Sequence, residues 1–190
     1  MSRVELLTPA TAPISLRSYF QNGQPGPLVA SLAQVPELLE VAMPFMGMVL
    51  SPSGIDFRSK EIIILRTSAW QGCRYCIGTH SVIAYQSGFS LDELKILRVP
   101  SEESSIFSEQ EQALLNWVDL LSQTGREISE TASTIVSNSI KSFYTDAEVV
   151  ELTMVVGATI MLNRYCTALK LPVAKIHIDA LEQMGLGHGE

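Results

Sequence analysis

Signals for helix starts recur along the chain, and they constrain its fold more than any other feature. Three capping boxes place a hydroxyl residue three positions before a glutamate, at Ser90–Glu93, Ser108–Glu111 and Thr145–Glu148. Asp56 is a fourth candidate N-cap, ahead of the run FRSKEIIILRTSAW. No segment alternates apolar and polar residues over more than a few positions, so we predict no sheet. The pattern indicates an all-α chain.

Apolar periodicity divides most of the chain into eight predicted helices. Residues 1–27 hold four prolines and two glycines and are predicted to be irregular. The helices are predicted over residues 36–50, 56–71, 73–87, 90–98, 108–123, 128–142, 146–169 and 173–184. Gly72 stands where a C-terminal glycine cap belongs. At 190 residues, the chain is predicted to be one domain spanning residues 1–190.

Composition argues against several kinds of partner. The net charge is −7 and no run of Lys or Arg is present, so neither nucleic acid nor an anionic membrane surface is an expected partner. The longest apolar stretch, residues 154–162, is far shorter than the ~20 residues that a bilayer span needs. The N-terminus lacks the apolar segment of a signal peptide, so we expect a cytoplasmic protein. Hydrophobic residues make up 46% and charged ones 17%, which predicts a homo-oligomer.

The segment GCRYCIGTH carries the candidate chemistry. Cys73, Cys76 and His80 recur at steps of three and four, so they share one face of a helix. If the helices on either side of Gly72 pair in antiparallel fashion, Glu61 and His80 are offset by only about 4.5 Å along the pair, since a helix rises ~1.5 Å per residue. These four side chains are therefore predicted to line one partly buried seam.

Such a seam suits thiol chemistry. Only the thiolate is a good nucleophile, and the start of a helix favours it. His80 can accept the thiol proton while Glu61 orients the imidazole. A thiolate beside a second cysteine can reduce a peroxide, become a sulfenic acid and condense to a disulfide, which an external dithiol then reduces. Taken singly, each residue could equally be a structural one. Cys166 is interpreted as a small apolar side chain, and His177 and His188 receive no role.

A metal site is a second interpretation of the same segment. Cys73, Cys76 and His80 would supply three ligands, whereas a closed structural zinc site has four. The fourth ligand would have to be Glu61 or Cys166, because the chain holds no second CxxC, CxxH or HxxxH. We therefore prefer the redox interpretation and predict neither a metal nor a cofactor.

The run RSKEIIILRTSAWQGCRYCIGTHSVIAYQSGFSLDEL, residues 58–94, resembles the carboxymuconolactone decarboxylase and alkyl hydroperoxidase D family, in its peroxidase-related branch. The family motif is a Glu, a CxxC twelve residues later, and a His four residues after the second Cys. Glu61, Cys73, Cys76 and His80 reproduce that spacing. The run EVVELTMVVGATIMLNRYCTAL is similar to a second block of the family, so the resemblance covers residues 35–170.

The resemblance implies a single-domain helical bundle of the alkyl hydroperoxidase D-like type, assembled as a trimer or hexamer, with its active site on a helix hairpin. It implies cofactor-free reduction of a hydroperoxide, with an external dithiol or thiol protein as reductant. By analogy Cys76 is the peroxidatic thiol, Cys73 resolves it, and His80 and Glu61 relay protons. The helix dipole instead favours Cys73 as the thiol of lower pKa, and Cys76 is preferred because it is nearer to His80.

The chain also departs from the family pattern. Alkyl hydroperoxidase D carries a His between its two cysteines, where this chain has Arg74 and Tyr75. This difference concerns the proton relay and the identity of the reductant. The decarboxylase branch does not depend on a CxxC, so a lyase acting on a small lactone acid is an alternative function. A zinc-binding helical oligomer without enzymatic activity is another.

Overall fold

The computed structural model describes residues 1–100, 105–123 and 129–187, and within these residues the regular structure is entirely helical. The prediction of an all-α fold is confirmed. The α-helices are α1 (Pro27–Leu32), α2 (Pro36–Leu50), α3 (Phe57–Gln71), α4 (Arg74–Gln86), α5 (Leu91–Leu97), α6 (Glu109–Ser122), α7 (Glu130–Lys141), α8 (Asp146–Leu169) and α9 (Lys175–Gln183).

The predicted helix starts are present. Full capping boxes begin α5, α6 and α8 at Ser90, Ser108 and Thr145, with the side-chain oxygen and the glutamate each accepting a backbone N–H. Asp56 begins α3 by accepting a hydrogen bond from the Ser59 amide at 2.6 Å. Local hydrogen bonding that the sequence encodes within four residues therefore sets these boundaries.

The N-terminal segment is more ordered than predicted. Residues 14–20 form a 3₁₀ helix, and Pro27, interpreted as a helix breaker, is the first residue of α1. Proline is well suited to that position because its ring fixes a helical φ and the first turn does not need its amide. Leu16 and Phe20 are buried in an apolar cluster with residues of α2. The prediction of an irregular segment over residues 1–27 is thus wrong for residues 14–20.

Helix α3 lies at the centre of the fold. It packs against α8, α6 and α4, and twelve of its fifteen residues are buried, so no face is left to solvent. Its polar side chains must therefore find partners inside the protein. Lys60 forms an ion pair with Glu151 at 2.7 Å and donates to the Val49 carbonyl oxygen at 2.9 Å. Arg66 forms an ion pair with Asp119 on α6 at 2.7 Å.

Helix α8 is, among the described residues, the one helix long and apolar enough to cross a membrane by length and composition. Its most apolar window has a mean hydropathy of 1.2, and 44% of that window is buried within the protein. The helix packs against α3, α2, α4, α6 and α7. These contacts are those of a core helix.

Candidate active site

The turn at Gly72 brings Glu61 and His80 together. Gly72 ends α3 with a left-handed backbone, at φ 61° and ψ 32°, which glycine adopts without a steric penalty. Helix α4 then folds back along α3. The two carboxylate oxygens of Glu61 lie 3.0 and 3.1 Å from Nδ1 of His80. The structure thus joins two residues that are 19 positions apart, as the spacing predicted.

This contact fixes how the imidazole can act. Because the Glu61 carboxylate engages Nδ1, Nε2 is the nitrogen left to exchange a proton with a thiol or a substrate. The Glu61 side chain is only 5% exposed, whereas that of His80 is 24% exposed. The carboxylate is therefore the inner member of the pair, and the imidazole faces the more open side.

Cys73 and Cys76 lie at the start of α4. Cys73 is the N-cap of this helix, where the predicted helix over residues 73–87 had placed it inside, and its Sγ accepts the Cys76 amide hydrogen at 3.4 Å. The Sγ atoms of Cys73 and Cys76 are 2.6 Å apart. A disulfide needs about 2.05 Å, so oxidation of the two thiols by a peroxide would require only a small movement of the sulfurs. Cys73 is fully buried and Cys76 is 6% exposed.

Cys166 adds a third sulfur that the sequence interpretation did not place here. It lies on α8, is 1% exposed, and its Sγ falls with those of Cys73 and Cys76 in a group whose members are all within 4.8 Å of one another. We call these three side chains the thiol cluster. Leu171 packs against it as a fourth buried residue. Cys166 is thus buried as expected, but among sulfurs.

Hydrogen bonding gives the three thiols of the cluster different pKa values. Hydrogen bonds with Cys166 and then with Cys76 lower the pKa of Cys73 to about 3, against the effect of burial. The contact with Cys166 also favours a lower pKa for Cys76. The hydrogen bond with Cys73, burial and the Cys73 charge outweigh that contact and raise the pKa of Cys76 to about 12. Contacts with both neighbours raise the pKa of Cys166. The directions of these shifts favour the thiolate form at Cys73 and the thiol form at Cys76 and Cys166.

Comparison with known proteins identifies the chain's relatives. Residues 36–120 match the model of the carboxymuconolactone decarboxylase family, and this region includes Glu61, Cys73, Cys76 and His80. This region of the chain, residues 36–120, is therefore similar to the carboxymuconolactone decarboxylase family. The family resemblance drawn from the motif spacing is therefore confirmed. Cys166 lies outside the matched region.

Solved structures show the same fold as this protein. A protein of unknown function from Agrobacterium tumefaciens, with a suggested role as the antioxidant defence protein AhpD, is 27% identical, with a TM-score of 0.66, over 74% of this chain and 93% of its own. An uncharacterised peroxidase-related protein from Silicibacter sp. TM1040 is 16% identical, with a TM-score of 0.77, over 93% of both chains. The debrominase Bmp8 is 17% identical, with a TM-score of 0.76, over 97% of this chain and all of its own. No curated protein matches the sequence.

Tyr75 stands where alkyl hydroperoxidase D carries a histidine, and it packs against the thiol cluster. Burial is the main cause of its raised pKa, so the phenol stays protonated. Its hydroxyl also hydrogen-bonds the backbone of Leu28, at the start of the N-terminal helix α1. Tyr75 therefore lines the site and connects it to the N-terminal segment by a hydrogen bond.

Asn163 and His177 are two further polar residues of the site that the sequence interpretation missed. Asn163 is 1% exposed, donates to the Ser68 hydroxyl at 3.0 Å, and its amide also hydrogen-bonds Cys76. Burial and the nearby charge of His80 lower the pKa of His177, on α9. Its Nδ1 is buried and, among the described residues, has no hydrogen-bond partner. Both residues lie far from the CxxC along the chain, so no sequence spacing indicates that they are close to it in the structure.

The thiol cluster is also, among the described residues, the one group of metal-ligating side chains close enough together to share an ion. It offers three sulfurs, one ligand fewer than a closed structural zinc site. His80, which the sequence-based metal hypothesis had included, is engaged by Glu61 at Nδ1 and is not part of this group. Soft thiolate ligands would favour zinc or Cu(I).

The thiolate form favoured at Cys73 leads to a pH prediction. We expect the reduced protein to show the ultraviolet absorbance of one thiolate per subunit at neutral pH and to lose it only near the Cys73 pKa of about 3. This folded pKa lies below the roughly 8.5 of a free cysteine. The thiolate therefore contributes stability that is complete above the unfolded pKa and is lost as pH falls through the folded one. A pH titration of the absorbance measures it, with Cys73→Ser as control. Absorbance that appears only near the free-cysteine pKa would contradict the assignment.

Proposed function

We propose that this protein is a thiol-dependent hydroperoxide reductase that uses a redox-active CxxC disulfide and a Glu–His proton relay. One observation carries the proposal. The Cys73 and Cys76 sulfurs are 2.6 Å apart, on the same helix as a histidine that a buried glutamate holds by Nδ1. A nucleophile, a resolving thiol and a proton donor thus lie within one helix hairpin.

Cys76 is the sulfur that attacks the peroxide. It is the most exposed member of the thiol cluster, at 6%, whereas Cys73 is fully buried. The Cys73 thiolate can take the Cys76 proton across their 2.6 Å contact. The Cys76 thiolate formed in this way is the stronger nucleophile of the two, because intrinsic thiolate nucleophilicity rises with pKa. The pKa values of about 3 at Cys73 and about 12 at Cys76 place the resting proton on Cys76, so this transfer is uphill and must precede the attack.

The reaction balances with the residues at hand. The Cys76 thiolate attacks the terminal peroxide oxygen, the O–O bond breaks, and the leaving alkoxide takes a proton from protonated His80 to become an alcohol. The Glu61 carboxylate stabilises that imidazolium. The Cys73 thiol then attacks the Cys76 sulfenic acid, the S–S bond forms, and hydroxide leaves with the Cys73 proton as water. His80 regains its proton from solvent.

An external dithiol or thiol protein completes the cycle. It attacks the Cys76 sulfur, which is the more exposed of the two, and expels Cys73. Cys73 is the better leaving group because a thiol of lower pKa leaves faster. Such a reductant is available in a reducing compartment, so the proposal includes a cytoplasmic location.

The proposal predicts a defined loss of thiols. Addition of one equivalent of an alkyl hydroperoxide to the reduced protein should remove two of the three thiols per subunit, since one disulfide forms for each peroxide reduced. Titration of free thiols, mass mapping of the disulfide and measurement of the alcohol product check it. Three thiols that persist beside intact peroxide would reject the function.

The thiol cluster supports a second candidate, in which its three sulfurs hold a metal and no redox cycle occurs. Metal analysis of protein purified without chelator separates the two. About one tightly held zinc ion per subunit, resistant to peroxide, would favour the metal site over the reductase.

We also propose that the protein is a homo-oligomer, a trimer or a hexamer by family resemblance. Support comes from an exposed apolar face on α2 and α8, where side chains are between 40% and 71% exposed, at Leu38, Val41, Phe45, Met154 and Met161. A pocket of about 310 Å³ lies within this face. Apolar surface of this kind usually marks an interface, and sedimentation velocity gives the subunit number.

A further inference from the structure

Cys166 is a nucleophilic group inside the site that the proposed reaction leaves unused. It belongs to α8, whereas Cys73 and Cys76 belong to the start of α4, and the two helices are in contact. Its sulfur is nevertheless within 4.8 Å of both CxxC sulfurs. This separation places the Cys166 sulfur within reach of a disulfide between Cys73 and Cys76, and disulfide exchange begins when a thiol reaches a disulfide sulfur.

We propose that Cys166 is a third redox-active thiol of this site, which exchanges into the Cys73–Cys76 disulfide and forms a second disulfide with Cys76. The inference rests on the proposed function, because peroxide reduction generates the first disulfide. It differs from that function in assigning a reaction to a residue outside the CxxC motif.

The exchange balances within the cluster. The Cys166 sulfur attacks the Cys76 sulfur, the Cys73–Cys76 bond breaks, and the Cys76–Cys166 bond forms. The Cys166 proton passes to the Cys73 sulfur, so one thiol and one disulfide become another thiol and another disulfide without an external reactant. Attack at Cys76 is preferred over attack at Cys73, because hydrogen bonds with its neighbours make Cys73 the better leaving group.

The second disulfide would crosslink two helices that the first disulfide leaves unlinked. The Cys73–Cys76 bond closes a ring within one turn of chain, whereas a Cys76–Cys166 bond ties α4 to α8. It also releases Cys73 as a thiol that can attack back, so the exchange is reversible. The oxidised protein therefore holds one disulfide that can lie either within the CxxC motif or between α4 and α8.

The Cys73→Ser variant tests the inference. Serine is a good N-cap, so the start of α4 should be retained. With diamide as oxidant, and separately with one equivalent of alkyl hydroperoxide, we expect both remaining thiols of this variant to be lost. Mass mapping should then show a Cys76–Cys166 peptide, and the chain should run faster on a non-reducing gel because the crosslink spans residues 76–166. The Cys73→Ser/Cys166→Ser double variant should form no intrachain crosslink.

Failure of the inference and failure of the reductase look different. If wild-type protein loses two thiols to peroxide but Cys73→Ser keeps Cys166 reduced under diamide, the inference is overturned and the reductase stands. If diamide gives the Cys76–Cys166 peptide in Cys73→Ser but peroxide removes no thiol from wild-type protein, the reductase fails and the Cys76–Cys166 pairing stands. Should Cys73→Ser not fold, wild-type protein equilibrated in a glutathione redox buffer decides. Presence of the Cys76–Cys166 peptide supports the inference, and its absence overturns it.

Discussion

Replacement of Cys76 with serine should reduce the rate of hydroperoxide consumption by on the order of 10³-fold or more, the scale of loss when a catalytic nucleophile is removed. A hydroxyl at this position has no accessible anion, and the proton acceptor at 2.6 Å cannot make it a competent nucleophile. Cys73 remains a thiolate in the variant, but it is fully buried and intrinsically weak as a nucleophile. A continuous peroxide assay with excess dithiol measures the rate.

Cys166→Ser is a comparison variant, because it removes another buried sulfur of the thiol cluster while leaving the CxxC motif intact, and it should lose less activity than Cys76→Ser. The role assigned to Cys76 is wrong if Cys76→Ser consumes peroxide at the wild-type rate. If Cys73→Ser shows the larger loss, the two roles are exchanged. The Cys73→Ser/Cys76→Ser double variant separates the lyase alternative, since decarboxylation of a small lactone acid would survive it.

The local part of this site was readable from the sequence. The helix hairpin follows from Asp56 as a cap and Gly72 as a left-handed turn, both of which depend on a few adjacent residues. Once the hairpin is fixed, the rise per residue places Glu61 beside His80. The observed distance of 3.0 Å between Nδ1 of His80 and a Glu61 carboxylate oxygen agrees with this placement.

The tertiary part of the site was not readable in the same way. Cys166 joins the thiol cluster through the packing of α8 against α4, and no periodicity along the chain reports on the contact of two helices so far apart in sequence. His177 reaches the vicinity of His80 through α9 for the same reason. Pro27 shows a different failure, since proline both breaks helices and begins them, and only its position in the helix decides.

Helix α3 also shows a case in which the hydrophobic pattern of the sequence does not predict which face of a helix is buried. An amphipathic helix reports its buried face through the placement of polar residues. In α3 the polar side chains Lys60, Glu61 and Arg66 are buried together with the apolar ones, so the pattern does not identify one inward face. The partners of Lys60 and Arg66 come from helices that are distant in sequence, whereas that of Glu61 lies on the next helix.

Replacement of Asp119 with alanine should therefore lower the free energy of unfolding by about 3–5 kcal/mol, the cost of removing one partner of a buried ion pair. The Asp119 carboxylate binds Arg66 in a bidentate way, at 2.7 Å to Nε and 3.0 Å to Nη2, and accepts the Trp70 indole N–H at 2.6 Å. The Arg66 side chain is 1% exposed. The variant would leave a buried guanidinium without its carboxylate. Urea denaturation of the reduced protein measures the change.

Two comparison variants identify the cause of that loss. Lys95→Ala removes an exposed ion pair with Asp92, whose side chains are 61% and 79% exposed, and should cost less than about 1 kcal/mol. Arg66→Met combined with Asp119→Leu removes both buried charges, and it should recover part of the Asp119→Ala loss because no charge remains uncompensated. If the double variant is no more stable than Asp119→Ala, the loss comes from packing between α3 and α6. Recovery of stability in the double variant would show that the Asp119→Ala loss comes from the uncompensated Arg66 guanidinium, on the helix that also carries Glu61.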